Sequence, residues 1–147
     1  MIRYQLKALA AICCIIIGHT ALAQSAQVTL PGFTAYAAPQ EEGVHINERR
    51  GVAEWTDSAN TVNFYFHVST PGSLKIALQA KADGTSKVQA SVNGVDKTVT
   101  IPAVADFTTI PVLETKIKKT GFYSVSLKGL NKSGKGSSLN WGKLYIW

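Results

Sequence analysis

The chain has 147 residues, 46% of them hydrophobic, and carries 15 Lys and Arg against nine Asp and Glu, a formal net charge of +6. Its two cysteines are the adjacent Cys13 and Cys14, both inside an N-terminal apolar run. If that run is removed as a leader, no disulfide, thiolate nucleophile or cysteine metal site is left.

The first residues, MIRYQLK, hold Arg3 and Lys7, and the apolar run from Ala8 to Gly18 follows them and ends at His19. A bilayer span needs about 20 apolar residues, so this run is too short to cross, and Ala21-Leu22-Ala23 gives the small-x-small pattern that signal peptidase accepts. Cleavage after Ala23 is predicted. Lipidation is not, because Ile12 stands before Cys13 where a lipoprotein signal needs a small residue, and the apolar run continues past both cysteines. Losing 23 of 147 residues leaves 124, with Arg3 and Lys7 gone and 13 bases against nine acids, or +4. A domain of that length buries roughly two-thirds of its unfolded surface, so residues 24–147 are expected to form one domain without staples. The mature chain has no transmembrane segment. Export excludes nucleic acid as the partner, and the modest positive charge suits an acidic polysaccharide or an anionic cell surface.

Turn residues recur at short intervals, at Pro31-Gly32, Gly43, Gly51, Pro71-Gly72, Asp83-Gly84, Asn93-Gly94, Pro102, Pro111, Gly121 and Gly129. The runs between them are short and rich in Val, Ile, Thr, Phe and Tyr, the pattern of a sandwich or barrel. From Thr61 to Val68, Val62, Phe64, Phe66 and Val68 alternate with Asn63, Tyr65 and His67, which predicts a central strand. After the Pro71-Gly72 turn, Leu74, Ile76, Leu78 and Ala80 alternate with Ser73, Lys75, Ala77 and Gln79, and this run reads as the adjacent antiparallel partner. Asn93-Gly94 between Lys87–Val92 and Asp96–Ile101 predicts a hairpin. Phe107 to Leu113 and Phe122 to Lys128 continue the series. The last strand, Leu139 to Trp147, sets Leu144 and Ile146 on one face and Trp141, Lys143, Tyr145 and Trp147 on the other. No helix, fixed-period repeat or low-complexity linker is read. The expected fold is all-β, a jelly-roll-like antiparallel sandwich of roughly eight or nine strands in two sheets. The chain stops directly after a strand that looks as though it should be covered, which suggests part of a longer protein.

Chemistry-bearing clusters are sparse. After leader removal the imidazoles are His45 and His67, neither paired at metal-ligand spacing, and no Ser sits in a G-x-S-x-G elbow. Carboxylates are present in the first third of the mature chain, at Glu41, Glu42, Glu48, Glu54 and Asp57, but spacing alone does not set any two across a glycosidic bond. A hydrolase using Glu54 and Asp57 is the weakest of three readings. Sugar rings present apolar C–H faces and stack on Trp or Tyr beside amide, carboxylate or guanidinium groups. Two places supply both kinds of group: Glu48 to Asp57, around Glu54, Trp55 and Asp57, and Asn140-Trp141. For Trp55 the alternative is core packing. The lysines at 116, 118, 119, 128, 132, 135 and 143 read as a solvated face, or as a patch for an anionic glycan or lipid surface.

AYAAPQEEGVHI, GVAEWTDSANTVNFYFHVSTPGSLKIAL, GFYSVSLKGLNKSGK and the closing LNWGKLYI together resemble the bacterial module called domain of unknown function 5077, across nearly all of the mature chain. That resemblance implies an N-terminal module of a larger secreted protein. More distantly, the FYFHV strand, the G-x-Y-x-V-x-L strand and the Asn-Trp-x-x-Leu strand are similar to galactose-binding-like jelly-roll carbohydrate-binding modules. These bind sugar in loops at one end of the sandwich, and the similarity makes Asn140 and Trp141 ligand candidates. The N-terminal Glu pattern that supplies structural calcium in many such modules has no clear match here, so no cofactor is expected and calcium alone is left open.

The leading expectation is a secreted or periplasmic, non-catalytic carbohydrate-binding module. The alternative is a structural sandwich that packs on a neighbouring domain through Trp141, Tyr145 and Trp147. Mass spectrometry of the exported chain checks the leader: the N-terminus is expected at Gln24, and a product retaining residues 1–23 contradicts it.

Overall fold

The computed structural model describes residues 27–39, 43–132 and 139–147. The predicted leader, Glu41 and Glu42 lie outside these residues. The described chain forms eleven strands: β1 (Val28–Pro31), β2 (Tyr36–Ala38), β3 (His45–Asn47), β4 (Gly51–Trp55), β5 (Thr61–Val68), β6 (Gly72–Ala82), β7 (Ser86–Val92), β8 (Val95–Ile101), β9 (Val104–Ile117), β10 (Gly121–Lys132) and β11 (Leu139–Ile146). A single 3₁₀ turn, Gly32–Thr34, is the one helical element among the described residues. No described helix is long and apolar enough to cross a membrane.

Two antiparallel sheets form. One runs β3-β4-β11-β6-β9, with β1 also paired to β11, and the other runs β2-β5-β10-β7-β8. The all-β, jelly-roll-like sandwich expected from the sequence is the observed architecture. The count exceeds the expected eight or nine because β1, β2 and β3 hold only three or four residues each. Segments that short carry no readable period-two alternation.

Alternation sets the core. Leu74, Ile76, Leu78, Ala80 and Ala82 of β6 and Leu144 and Ile146 of β11 face inward from the six-stranded sheet. They meet Val62, Phe64 and Phe66 of β5, Val125 and Leu127 of β10, and Val88, Ala90 and Val92 of β7 in one cluster. Each Val, Leu, Ile or Phe among them, once removed from water, contributes about 1.5–3 kcal/mol, which offsets the ordering of the chain.

The hairpin is present, with Asn93 (φ 50°) and Gly94 (φ 75°) both left-handed and Val92 paired with Val95, the geometry of a type I′ turn. The expected pairing of Thr61–Val68 with Ser73–Ala80 is not found. β5 pairs with β2 and β10, whereas β6 lies in the other sheet between β9 and β11. The Pro71-Gly72 turn therefore crosses between sheets. Alternation reveals which face a strand buries, and in a sandwich both sheets present the same inward pattern, so it does not name the partner.

The last strand buries Leu144 and Ile146 on one face, as its alternation predicts. β11 is paired on both edges, and Trp147 exchanges backbone hydrogen bonds with Lys75 at 2.6 and 3.0 Å. Tyr145 and Trp147 are half-buried.

Candidate functional site

The outer face of the six-stranded sheet carries a groove of about 710 Å³, within the roughly 300–1,000 Å³ of small-molecule sites. Pro31 and Phe33 border it on one side, Glu48 to Gly51 and Glu54 at the β3–β4 turn and on β4, and Gln79, Lys81, Phe107, Gly142 and Lys143 across β6, β9 and β11.

Departures from regular pairing shape this groove. In β4, Val52 and Trp55 are three residues apart but pair with Trp141 and Leu139, only two apart, so β4 holds an extra residue. Glu54 takes φ 55° there, a left-handed conformation uncommon for a side-chain-bearing residue. The bulge turns Glu54 outward and Trp55 inward. In β11, Trp141 and Lys143 pair with the consecutive Ala80 and Gln79, which makes Gly142 the extra residue. In β9, Val104 and Thr108 pair with Ala82 and Ala80, so the segment around Phe107 bows away from the ladder beside Lys81. Bulges end regular pairing and re-aim side chains, and here three of them border one depression.

Gly142 forms part of the floor, where a Cβ would stand 2.9 Å from Gln79 Oε1 and 3.6 Å from Phe107 Cε1. Its lack of a side chain leaves Gln79 room to lie across the strand. Phe33 is 45% and Phe107 41% exposed, an uncommon placement for such apolar rings in a chain with ample core. The Lys81 ammonium sits 5.1 Å from the Phe107 ring centroid. Glu54 lies 3.7 Å from Arg50 and 3.8 Å from His45, both exposed pairs of small energetic weight.

A second, smaller depression of about 110 Å³ opens at one end of the sandwich, lined by residues that include Trp55, Asp57, Ser58, Ser86, Lys87 and Asn131. Trp55 is only 5% exposed and belongs to the core, and its indole N–H donates to the Asp57 carbonyl at 2.7 Å. The Trp55 ring thus lines this end as a buried wall and offers no open stacking face. Gly43 (φ 79°) packs against the same loop, where its own Cβ would meet Asp57 Cβ at 2.7 Å, and its carbonyl accepts the Thr56 N–H at 2.8 Å. The Asp57 carboxylate accepts the Ala59 N–H at 2.8 Å, an Asx turn that ties it to its own loop.

The structure therefore separates the sequence candidates. Glu54 borders the sheet groove, while Trp55 and Asp57 belong to the end depression. The backbone pairs Asn140 with Lys81, and Trp141 with Ala80 and Val52, but the side chains of Asn140 and Trp141 lie outside the described part of the chain. Phe33, Gln79, Lys81, Phe107 and Gly142 were not singled out from sequence. Gln79 was legible as an outward position of β6, but its neighbours across the sheet depend on pairing and bulges. Of the C-terminal lysines, Lys143 lines the groove, while Lys135 and the Lys132 side chain lie outside the described part of the chain. No cluster of three or more His, Cys, Asp or Glu able to hold a metal ion occurs among the described residues.

The outer face of the five-stranded sheet carries an aromatic ledge. Tyr36 and Tyr65 stack at 5.3 Å with planes 7° apart and share a hydroxyl–hydroxyl hydrogen bond, which raises the Tyr36 phenol above its ordinary value, with some desolvation adding to it. Phe122, 82% exposed, meets His67 edge-on at 4.9 Å.

A two-sheet sandwich with such a groove places the molecule among jelly-roll-like β-sandwich modules. A protein-family model for DUF5077, a domain of unknown function, matches residues 30–144, and the chain belongs to that family. A search of curated protein sequences finds no match. Among solved structures, the chain is similar to the CBM36-1 domain of a multidomain xylanase from the hindgut metagenome of Trinervitermes trinervoides, with TM-score 0.61, 15% identity and coverage of 83% of this chain and 97% of that one. It is similar to a carbohydrate-binding module CBM36 in complex with calcium and xylotriose, with TM-score 0.60, 14% identity and coverage of 82% and 99%. The Podospora anserina GH26-CBM35 β-(1,4)-mannanase matches with TM-score 0.63 and 14% identity over 82% of this chain, which spans only 27% of the mannanase. At these identities the likeness establishes the fold.

If Trp55 is a packing residue, Trp55→Phe keeps most of the buried ring and loses the indole hydrogen bond. Urea denaturation should then show a loss of about 1–3 kcal/mol. Unchanged stability contradicts the packing role.

Proposed function

We propose that this protein is a non-catalytic, carbohydrate-binding accessory module, exported through its leader, and that it holds glycan in the groove on the outer face of the six-stranded sheet. The observation that carries the reading is the pair of exposed rings, Phe33 and Phe107, beside the Gly142 floor and the Gln79 amide. Aromatic faces take the C–H surface of a sugar, and the amide and charged groups around them bind its hydroxyls. The resemblance in fold to carbohydrate-binding modules supports the class, and the xylotriose in one of them belongs to that protein alone. The site proposed here lies on a sheet face, whereas the sequence resemblance pointed to the loops at one end. The pair that the hydrolase reading needs is not brought together: Glu54 borders the groove, while Asp57 is in the end depression.

A second reading, a structural domain packed on a neighbour, draws on a different surface from the one expected. The exposed ledge of Tyr36, Tyr65 and Phe122 favours it, because soluble domains seldom leave such aromatic area open. Affinity electrophoresis against a polysaccharide panel separates the two. Phe33→Ala and Phe107→Ala are each expected to weaken glycan binding by about 2- to 12-fold with the melting temperature nearly unchanged. Binding equal to the parent in both variants contradicts the proposed site.

A further inference from the structure

Resting on the glycan-binding reading of the groove, we infer that its preferred ligand is an acidic polysaccharide bearing uronate carboxylates. Arg49, Arg50, Lys81 and Lys143 line the groove against two carboxylates, Glu48 and Glu54. Glu54 is itself flanked by Arg50 at 3.7 Å and His45 at 3.8 Å. Two positive charges therefore remain in excess, with the arginines at the β3–β4 turn and the lysines on the β6 and β11 side. A chain laid along the floor meets cations at both borders.

The placement of Lys81 sharpens the selection. Its ammonium is held at 5.1 Å from the Phe107 centroid, so a fixed positive charge stands at an aromatic ring proposed to contact the sugar. The guanidinium groups of Arg49 and Arg50 present planar donor pairs that match a carboxylate in bidentate fashion, a geometry a neutral hydroxymethyl group cannot use.

The test uses matched probes: polygalacturonate, alginate and hyaluronan, each beside its carboxyl-reduced form, together with a neutral glucan and a xylan. Titrations run at about 0.01 M and about 1 M salt, over which the screening length falls from about 30 Å to about 3 Å. At low salt an acidic chain is expected to bind about tenfold or more tightly than its reduced counterpart, with that advantage lost at high salt. The double variant Lys81→Gln, Lys143→Gln should lose the advantage, binding the acidic chain no more tightly than its reduced form; a double variant that keeps the full salt-dependent advantage overturns the inference. Equal, salt-independent binding of acidic and reduced chains overturns the inference and leaves the glycan reading intact. Binding of no chain in the panel overturns both.

Discussion

Strand β11 hydrogen-bonds to three partners, and the six-stranded sheet depends on it. Its first residues pair with β4, its last with β1, and its whole length with β6. Without it, β1, β3 and β4 would have no connection to β6 and β9, and Leu144 and Ile146 would leave the core open at its centre. The same strand carries the extra residue Gly142. A Cβ at that position would stand 2.9 Å from Gln79 Oε1, so the strand that holds the sheet together also leaves room on its outer face.

The glycan reading follows from how the sandwich divides its residues. The inward positions of β5, β6, β7 and β10 are largely committed to packing, which leaves the outer sheet faces, the edges and the ends for recognition. Trp55 illustrates the division. The β4 bulge that exposes Glu54 also directs the indole inward, where its N–H is satisfied by the Asp57 carbonyl. A buried polar group with a partner is worth keeping in place, and a ligand would have to compete with that bond. Among the described residues, the exposed rings are the phenylalanines near the groove and the ledge on the opposite sheet.

Much of the fold was legible because period-two alternation is a local signal. The inward sets of β5 and β6 and the Asn93-Gly94 turn each follow from a few adjacent residues. Partner choice was not legible, as the separation of β5 and β6 into different sheets demonstrates, because it depends on contacts distant in sequence. The site was less legible still. Glu54 was singled out, but as a companion of Trp55, and the bulge between them sends the two side chains to different surfaces. Phe33 and Phe107 lie more than seventy residues apart, in a 3₁₀ turn and a bowed strand, and only the folded sheet brings them to one groove.

The central claim is that glycan lies on the sheet face and not at the end of the sandwich. Backbone amide NMR of the labelled protein, titrated with an oligosaccharide of whichever glycan binds, locates the contact residue by residue. The account predicts shifts concentrated at Phe33, Arg49 to Gly51, Gln79 to Lys81, Phe107 and Gly142 to Lys143. Shifts confined to Asp57, Ser58, Ser86 and Asn131 would contradict it and place the ligand at the end depression instead.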